Sequence, residues 1–203
     1  MPGEPLPVGG TARGMHEGSA HSDMVDLPTL GVAAALLSVE RLTYIAVWSR
    51  PAWFQAVCRR LGSPVDVLAS LFVVFKLVQV SVFVGWCLVH GGGRLLPAGR
   101  SVGILSLAVA LLMAGQGLNL SVFRALGRIG VFYGSRFGYY VPWRFTFPFS
   151  WIAHPQYVGA LLTIWGFFVL TRYPAPDWPV LPVLETLFYA SVAHVEERGP
   201  STV

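Results

Sequence analysis

The sequence predicts an all-α, polytopic helical membrane protein with four or five hydrophobic helices, the last two forming a hairpin. Two observations carry this expectation. Hydrophobic residues make up 54% of the 203-residue chain and charged residues only 12%, about half the roughly 25% charged share of a soluble domain. The apolar residues are also gathered into runs of about 20, the helical length that crosses a hydrocarbon layer roughly 30 Å thick at 1.5 Å per residue.

Residues 1–25 are rich in Gly and Pro, carry charges of both signs and hold no apolar core of the kind a cleavable signal needs. They read as a disordered tail, leaving 26–200 as one membrane-embedded domain. The first apolar run, Pro28 to Trp48, is interrupted by Glu40 and Arg41. Neighbours on a helix point to different faces, so these two are not expected to neutralise each other, and the run suits the interface as well as a crossing. The second run, Pro64 to Val89, holds Asp66 near its start and Lys76 with Gln79 near its centre. The third, Val102 to Phe123, lies between Arg100 and Arg124. The fourth and fifth, Gln156 to Thr171 and Pro179 to Val195, are short for full spans and are joined by TRYPAPDW, which makes them a hairpin, tilted or partly re-entrant.

Charge sets an orientation. Arg50, Arg59 and Arg60 follow the first run and Arg124, Arg128, Arg136 and Arg144 follow the third, whereas Arg94 and Arg100 precede the third and the hairpin tip has Arg172 with Asp177. The positive-inside bias makes the two Arg-richer connections cytosolic. If all five runs cross, the C-terminal HVEERGP is cytosolic too. The net charge of +4 comes almost wholly from arginines spread over several loops, which argues against nucleic acid as a partner and for headgroups or topology. Cys58 and Cys87 cannot build a multi-bridge framework, and the five histidines and two cysteines have no metal-ligand spacing. Lys76 and Glu185 are ionisable at membrane depth; a salt bridge between them is the expected arrangement, with snorkelling of Lys76 as the alternative.

Three features converge on the cytosolic face under this topology. Gly115-Gln116-Gly117 lies in the last third of the third run, His154-Pro155-Gln156-Tyr157 opens the fourth, and Glu196-Glu197 closes the fifth. The glycines either admit a ligand to the helix backbone or permit close helix packing. Pro155 suits the first turn of a helix, and Tyr157 suits an aromatic belt. Two carboxylates at a helix C-terminus oppose the macrodipole, so a cationic ligand, nearby arginines or water must compensate them. The connection from Arg124 to His154 interleaves arginines with aromatics such as Tyr139, Tyr140 and Trp143. That mixture fits a headgroup layer, where guanidinium groups take phosphate and ring faces attract ammonium, or else an unselective interfacial anchor.

On these residues the sequence resembles the phospholipid methyltransferase family, most closely its plant and algal branch acting on phosphatidyl-N-methylethanolamine. The resemblance rests on AGQGLNLSVFRALG, GVFYGSRFGYYVPW, FPFSWIAHPQYVG and the terminal VEERGP, and covers about Leu30 to Pro200. It implies methyl transfer from S-adenosylmethionine to the amine of phosphatidyl-N-methylethanolamine and phosphatidyl-N,N-dimethylethanolamine, ending at phosphatidylcholine, in the endoplasmic reticulum membrane. By similarity the methyl donor falls to Gly115, Glu196 and Glu197. The family's Gly-x-Gly aligns on Met113-Ala114-Gly115, whereas the visible one is residues 115–117, so Met113, Ala114, Gly115 and Gly117 are all candidates, with Tyr157. Glu196, Glu197 and His154 are the candidates for moving the amine proton, and Arg136, Tyr139, Trp143 and Arg144 those for the lipid headgroup. An isoprenylcysteine-type carboxyl methyltransferase shares the HPxY pattern and the Glu pair and is the alternative enzyme; a non-enzymatic lipid-binding membrane protein is the alternative class.

Overall fold

The computed structural model describes residues 26–97, 99–142, 144 and 146–198. The segment read as a tail, 1–25, lies outside the described residues. Among the described residues there are six α-helices: α1 (Leu27–Ser49), α2 (Pro51–Cys58), α3 (Pro64–His90), α4 (Val102–Val131), α5 (Pro155–Thr171) and α6 (Val180–Arg198), with a 3-10 turn at Gly134–Phe137 between α4 and α5. There is no strand among the described residues. α1, α3 and α4 are long and apolar enough to cross a membrane, and α5 is a shorter apolar helix.

Local chemistry sets the helix starts. The side chains of Asp26, Ser63 and Ser101 accept hydrogen bonds from the backbone N–H of Thr29, Asp66 and Ile104 at 3.1, 3.1 and 3.3 Å, caps worth about 1 kcal/mol each. Proline occupies the first turn of α1, α2, α3 and α5, where its missing N–H costs nothing. Two elements depart from expectation. The short helix α2 stands where a plain loop was read, and α4 continues eight residues beyond Phe123. Its course breaks at Gly127 (φ 63°, ψ −177°), a backbone that glycine adopts without steric penalty.

The helices are arranged inside out relative to a soluble bundle. Val73, Val74 and Leu77 on α3 and Leu105, Leu107 and Val109 on α4 face outward, while Glu40, Arg41, Gln79 and Glu185 are buried. One core cluster joins Ala33 and Leu37 of α1 to Phe83, Trp86 and Cys87 near the end of α3. A second joins Val47 to Val65, Leu68 and Ala69 near the start of α3. α1 therefore runs antiparallel to α3 along its whole length, about 34 Å for 23 residues. Burying Glu40 and Arg41 among neighbouring helices removes the need to keep them at the water interface, and α1 is long and apolar enough to cross. α1 ends, α3 begins, α4 ends, α5 begins and α6 ends at the same level of the bundle. α5 and α6 form the expected hairpin, but α5 lies most closely against α4, and α6 against α1.

Candidate functional site

A cavity of about 480 Å³ runs between α1, α3, α4, α5 and α6. Its α4–α5 wall exists because that seam is lined with small residues. A Cβ on Gly115 would lie 2.5 Å from Thr163 Oγ1 and 2.6 Å from the Gly159 carbonyl oxygen, and one on Gly166 would lie 3.0 Å from Leu111 and 3.1 Å from the Ala108 carbonyl. Close approach of this kind is how small residues join helices in membranes. It brings Gln116 and Asn119 of α4 beside Thr163 of α5 on the cavity wall. Gln116 Nε2 donates to Thr163 Oγ1 at 3.1 Å, whereas the buried Oδ1 of Asn119 has no hydrogen-bond partner. α3 and α4 barely touch. Val80 and Phe123 on these helices line the cavity and are also 56% and 47% exposed, so the cavity opens sideways between α3 and α4 toward the lipid-facing surface.

The end expected to be cytosolic is built on Glu196. Glu185, Tyr189, Val192 and Glu196 fall on one face of α6, three turns from first to last; Tyr189 and Val192 line the cavity. Tyr133 and Tyr157, both lining it, each donate a hydroxyl hydrogen bond to Glu196 Oε1 at 2.5 Å. Tyr133 sits in the left-handed region (φ 56°, ψ 29°), a conformation costing a non-glycine residue about 1 kcal/mol or more. Its ring is held edge-on by Tyr44 and Trp48, at centroid separations of 5.9 and 5.3 Å. The adjacent Glu197 is exposed, with Oε1 2.9 Å from His154 Nε2, and the His154 ring stacks on Tyr157 at 5.6 Å.

At the opposite end five side chains from α1, α3 and α6 close a ring. Lys76 Nζ lies 3.0 Å from Glu40, Glu40 lies 3.4 Å from Arg41, and Arg41 Nη2 lies 3.2 Å from Glu185. Gln79 completes it, donating to Glu185 at 2.6 Å and accepting from Lys76 at 2.8 Å. The Arg41 guanidinium also lies 3.7 Å over the Tyr189 ring. Two expectations are corrected here. Lys76 does not pair with Glu185 directly, because Gln79, three residues along α3, stands between them. Glu40 and Arg41 do meet, because their side chains bend toward a shared set of partners.

The three sequence features thus come together. Tyr157 bonds Glu196, and Gly159, two residues on, packs against Gly115. The rest of the expected site spreads more widely. Met113, Ala114 and Gly117 are exposed and do not line the cavity; a Cβ on Gly117 would meet nothing within 4 Å. Arg136 donates to the Trp48 carbonyl at the end of α1, at 2.7 and 3.2 Å, and lies 4.2 Å over the Trp48 ring. Arg144 Nε donates to the Ala125 carbonyl at 3.1 Å, and Tyr139 is exposed. Trp143 lies outside the described residues. Sequence reasoning missed Tyr133, Gln116 as a wall residue and Asn119; a polar residue one turn from Gln116 on an otherwise apolar run was the available signal for Asn119.

A phospholipid methyltransferase family model matches residues 104–199, which takes in α4 to α6 and hence Gly115, Tyr133, Tyr157 and both glutamates. The chain is 35% identical over 127 residues to phosphatidyl-N-methylethanolamine N-methyltransferase of Arabidopsis thaliana, covering 60% of this chain and 67% of that one. It is 38% identical over 93 residues to phosphatidylethanolamine N-methyltransferase of Homo sapiens, covering 45% of this chain and 46% of that one. No solved structure matches. A membrane-embedded helical chain with this extent of similarity belongs to the phospholipid methyltransferase family.

Proposed function

We propose that the protein transfers methyl groups from S-adenosylmethionine to phosphatidyl-N-methylethanolamine and phosphatidyl-N,N-dimethylethanolamine, forming phosphatidylcholine in the endoplasmic reticulum membrane, with residues 26–200 as the catalytic domain. The observation that carries the reading is the half-buried Glu196, fixed by two tyrosine hydroxyls at one end of a cavity between the helices. The cavity fits a polar donor molecule: Asn119 Oδ1 and Arg41 Nε, on two of its lining residues, are buried without hydrogen-bond partners, and such atoms are costly unless a ligand or water satisfies them.

When bound, the donor supplies a methyl group on a positively charged sulfur. Glu196 would accept hydrogen bonds from its ribose hydroxyls, and Gly115 acts by holding Gln116 and Asn119 on the wall. The lipid enters between α3 and α4, its headgroup passing the interfacial surface that carries Arg136, Tyr139 and Arg144. An alkylammonium has a pKa of about 10, so a proton must leave before the nitrogen lone pair can attack. The His154–Glu197 pair, open to water, takes that proton to solvent. The Tyr157 ring, at the Glu196 end of the cavity, attracts the nitrogen when it is cationic.

The test supplies purified protein in lipid nanodiscs with labelled S-adenosylmethionine and, separately, phosphatidylethanolamine, its monomethyl form and its dimethyl form. Mass spectrometry should find label on the two methylated acceptors. Label on an isoprenylcysteine carboxylate offered as a fourth acceptor, or donor binding with no transfer to any of the three lipids, would overturn the reading.

A further inference from the structure

The charged ring is the least economical feature of the fold. It places two cations and two anions about 16 Å from Glu196, counting eleven residues along α6, and a salt bridge among apolar helices recovers its desolvation cost only with near-complete hydrogen bonding. This ring is not complete. Arg41 is 5% exposed, yet its Nε has no hydrogen-bond partner. Lys76 spends two of its three N–H donors, on Glu40 and Gln79, and its side chain is 30% exposed where it lines the cavity. Glu40 keeps lone pairs to spare, since a carboxylate offers about four acceptor positions.

The spare groups therefore comprise donors beside a cation and acceptors on a carboxylate, within a ring of zero net charge. Their complement is a small zwitterion, with one ammonium and one carboxylate a few bonds apart, which brings no net charge into the membrane. The separation from Glu196 selects among zwitterions. A nucleoside whose ribose rests on Glu196 and whose sulfur-linked side chain runs up the cavity reaches the ring with its α-amino-acid end. A lipid headgroup would have to descend to the middle of α3 to do the same.

We propose that Lys76 and Glu40, backed by Arg41, bind the α-carboxylate and α-ammonium of the methyl donor, so that the donor lies along the cavity with its sulfur beside the α4–α5 wall. This rests on the proposed function and adds the orientation of the donor and the residues that set it.

The test is equilibrium binding to the purified protein in nanodiscs, without turnover, of S-adenosylhomocysteine and of 5′-methylthioadenosine, which keeps the nucleoside and sulfur but lacks the amino-acid end. Wild type should bind S-adenosylhomocysteine at least about tenfold more tightly, the worth of a charge-assisted hydrogen bond or two. Lys76→Met and Glu40→Gln should each shrink that ratio toward one while leaving 5′-methylthioadenosine affinity within about twofold. If a single variant does not fold, the charge-balanced double variant Lys76→Met/Glu40→Gln should show the same collapse, and the wild-type ratio is a test without any substitution. Equal binding of the two nucleosides by wild type would overturn the orientation but leave the proposed function standing. Failure of both to bind would overturn the proposed function itself. A variant that keeps the ratio but loses binding of phosphatidylcholine would assign the ring to the lipid headgroup and overturn the inference.

Discussion

Two clusters of buried charge occupy different levels of the same bundle and are built on opposite plans. Near the turn between α5 and α6, Arg172 Nε donates to Asp177 Oδ2 at 2.8 Å, its Nη2 donates to Asp177 Oδ1 and, at 2.9 Å, to the His90 carbonyl, and Trp86 Nε1 donates to Asp177 Oδ2 at 2.9 Å. The fork of the guanidinium is matched to the carboxylate, and neither residue lines the large cavity. The ring of Glu40, Arg41, Lys76, Gln79 and Glu185 lines it with four of its members and leaves donors unspent. A cluster whose donors close on its own carboxylate ties helix ends together; one that keeps donors for an adjoining space is arranged for a ligand. Net charge, zero in both, does not separate the two. Saturation of the hydrogen bonds does.

The contrast can be broken from either side. Asp177→Ala leaves Arg172 buried and unpaired, and should cost about 3–5 kcal/mol of stability, read as a lower thermal unfolding midpoint, with normal donor binding in the folded protein. Loss of donor binding without loss of stability would erase the distinction. Glu196→Gln should weaken donor binding about 10-fold, by loss of a charge-assisted hydrogen bond, with a small change in unfolding, because the amide oxygen still accepts from Tyr133 and Tyr157. Gly115→Ala should cost about 1–3 kcal/mol by forcing α4 from α5, whereas Gly117→Ala, facing open space, should stay within about 0.5 kcal/mol. The smallest effect is expected of Arg144→Ala. Its exposed guanidinium should change the lipid KM by about fivefold at most, in the range of a solvated charge contact.

The apolar runs gave the five long helices, four of them to within three residues and α4 short by eight, because length and hydropathy alone decide what fits a bilayer. The His-Pro helix start and the terminal Glu pair were legible for a related reason: each breaks a local preference that the rest of the sequence obeys. Pairing was not legible. Lys76, Glu185, Glu40 and Arg41 each stood out singly, but which of them meet depends on how helices rotate about their axes, and no helical period encodes that. Tyr133 was hidden among the aromatics of its connection, since nothing in its neighbours announces a left-handed backbone or a partner 63 residues away. The glycines carried two readings at once. Gly115 took the packing one, and by doing so set Gln116 and Asn119 against the cavity.

The most direct test of the cavity as the methyl-donor site is ultraviolet crosslinking of tritiated S-adenosylmethionine to the protein in nanodiscs, followed by peptide mapping. The account predicts label on peptides containing Gln116 to Asn119, Tyr157 to Thr163 or Tyr189 to Glu197, and its suppression by excess S-adenosylhomocysteine. Label confined to α2 or to the exposed stretch around Tyr139 and Tyr140, or label that excess S-adenosylhomocysteine does not suppress, would contradict it.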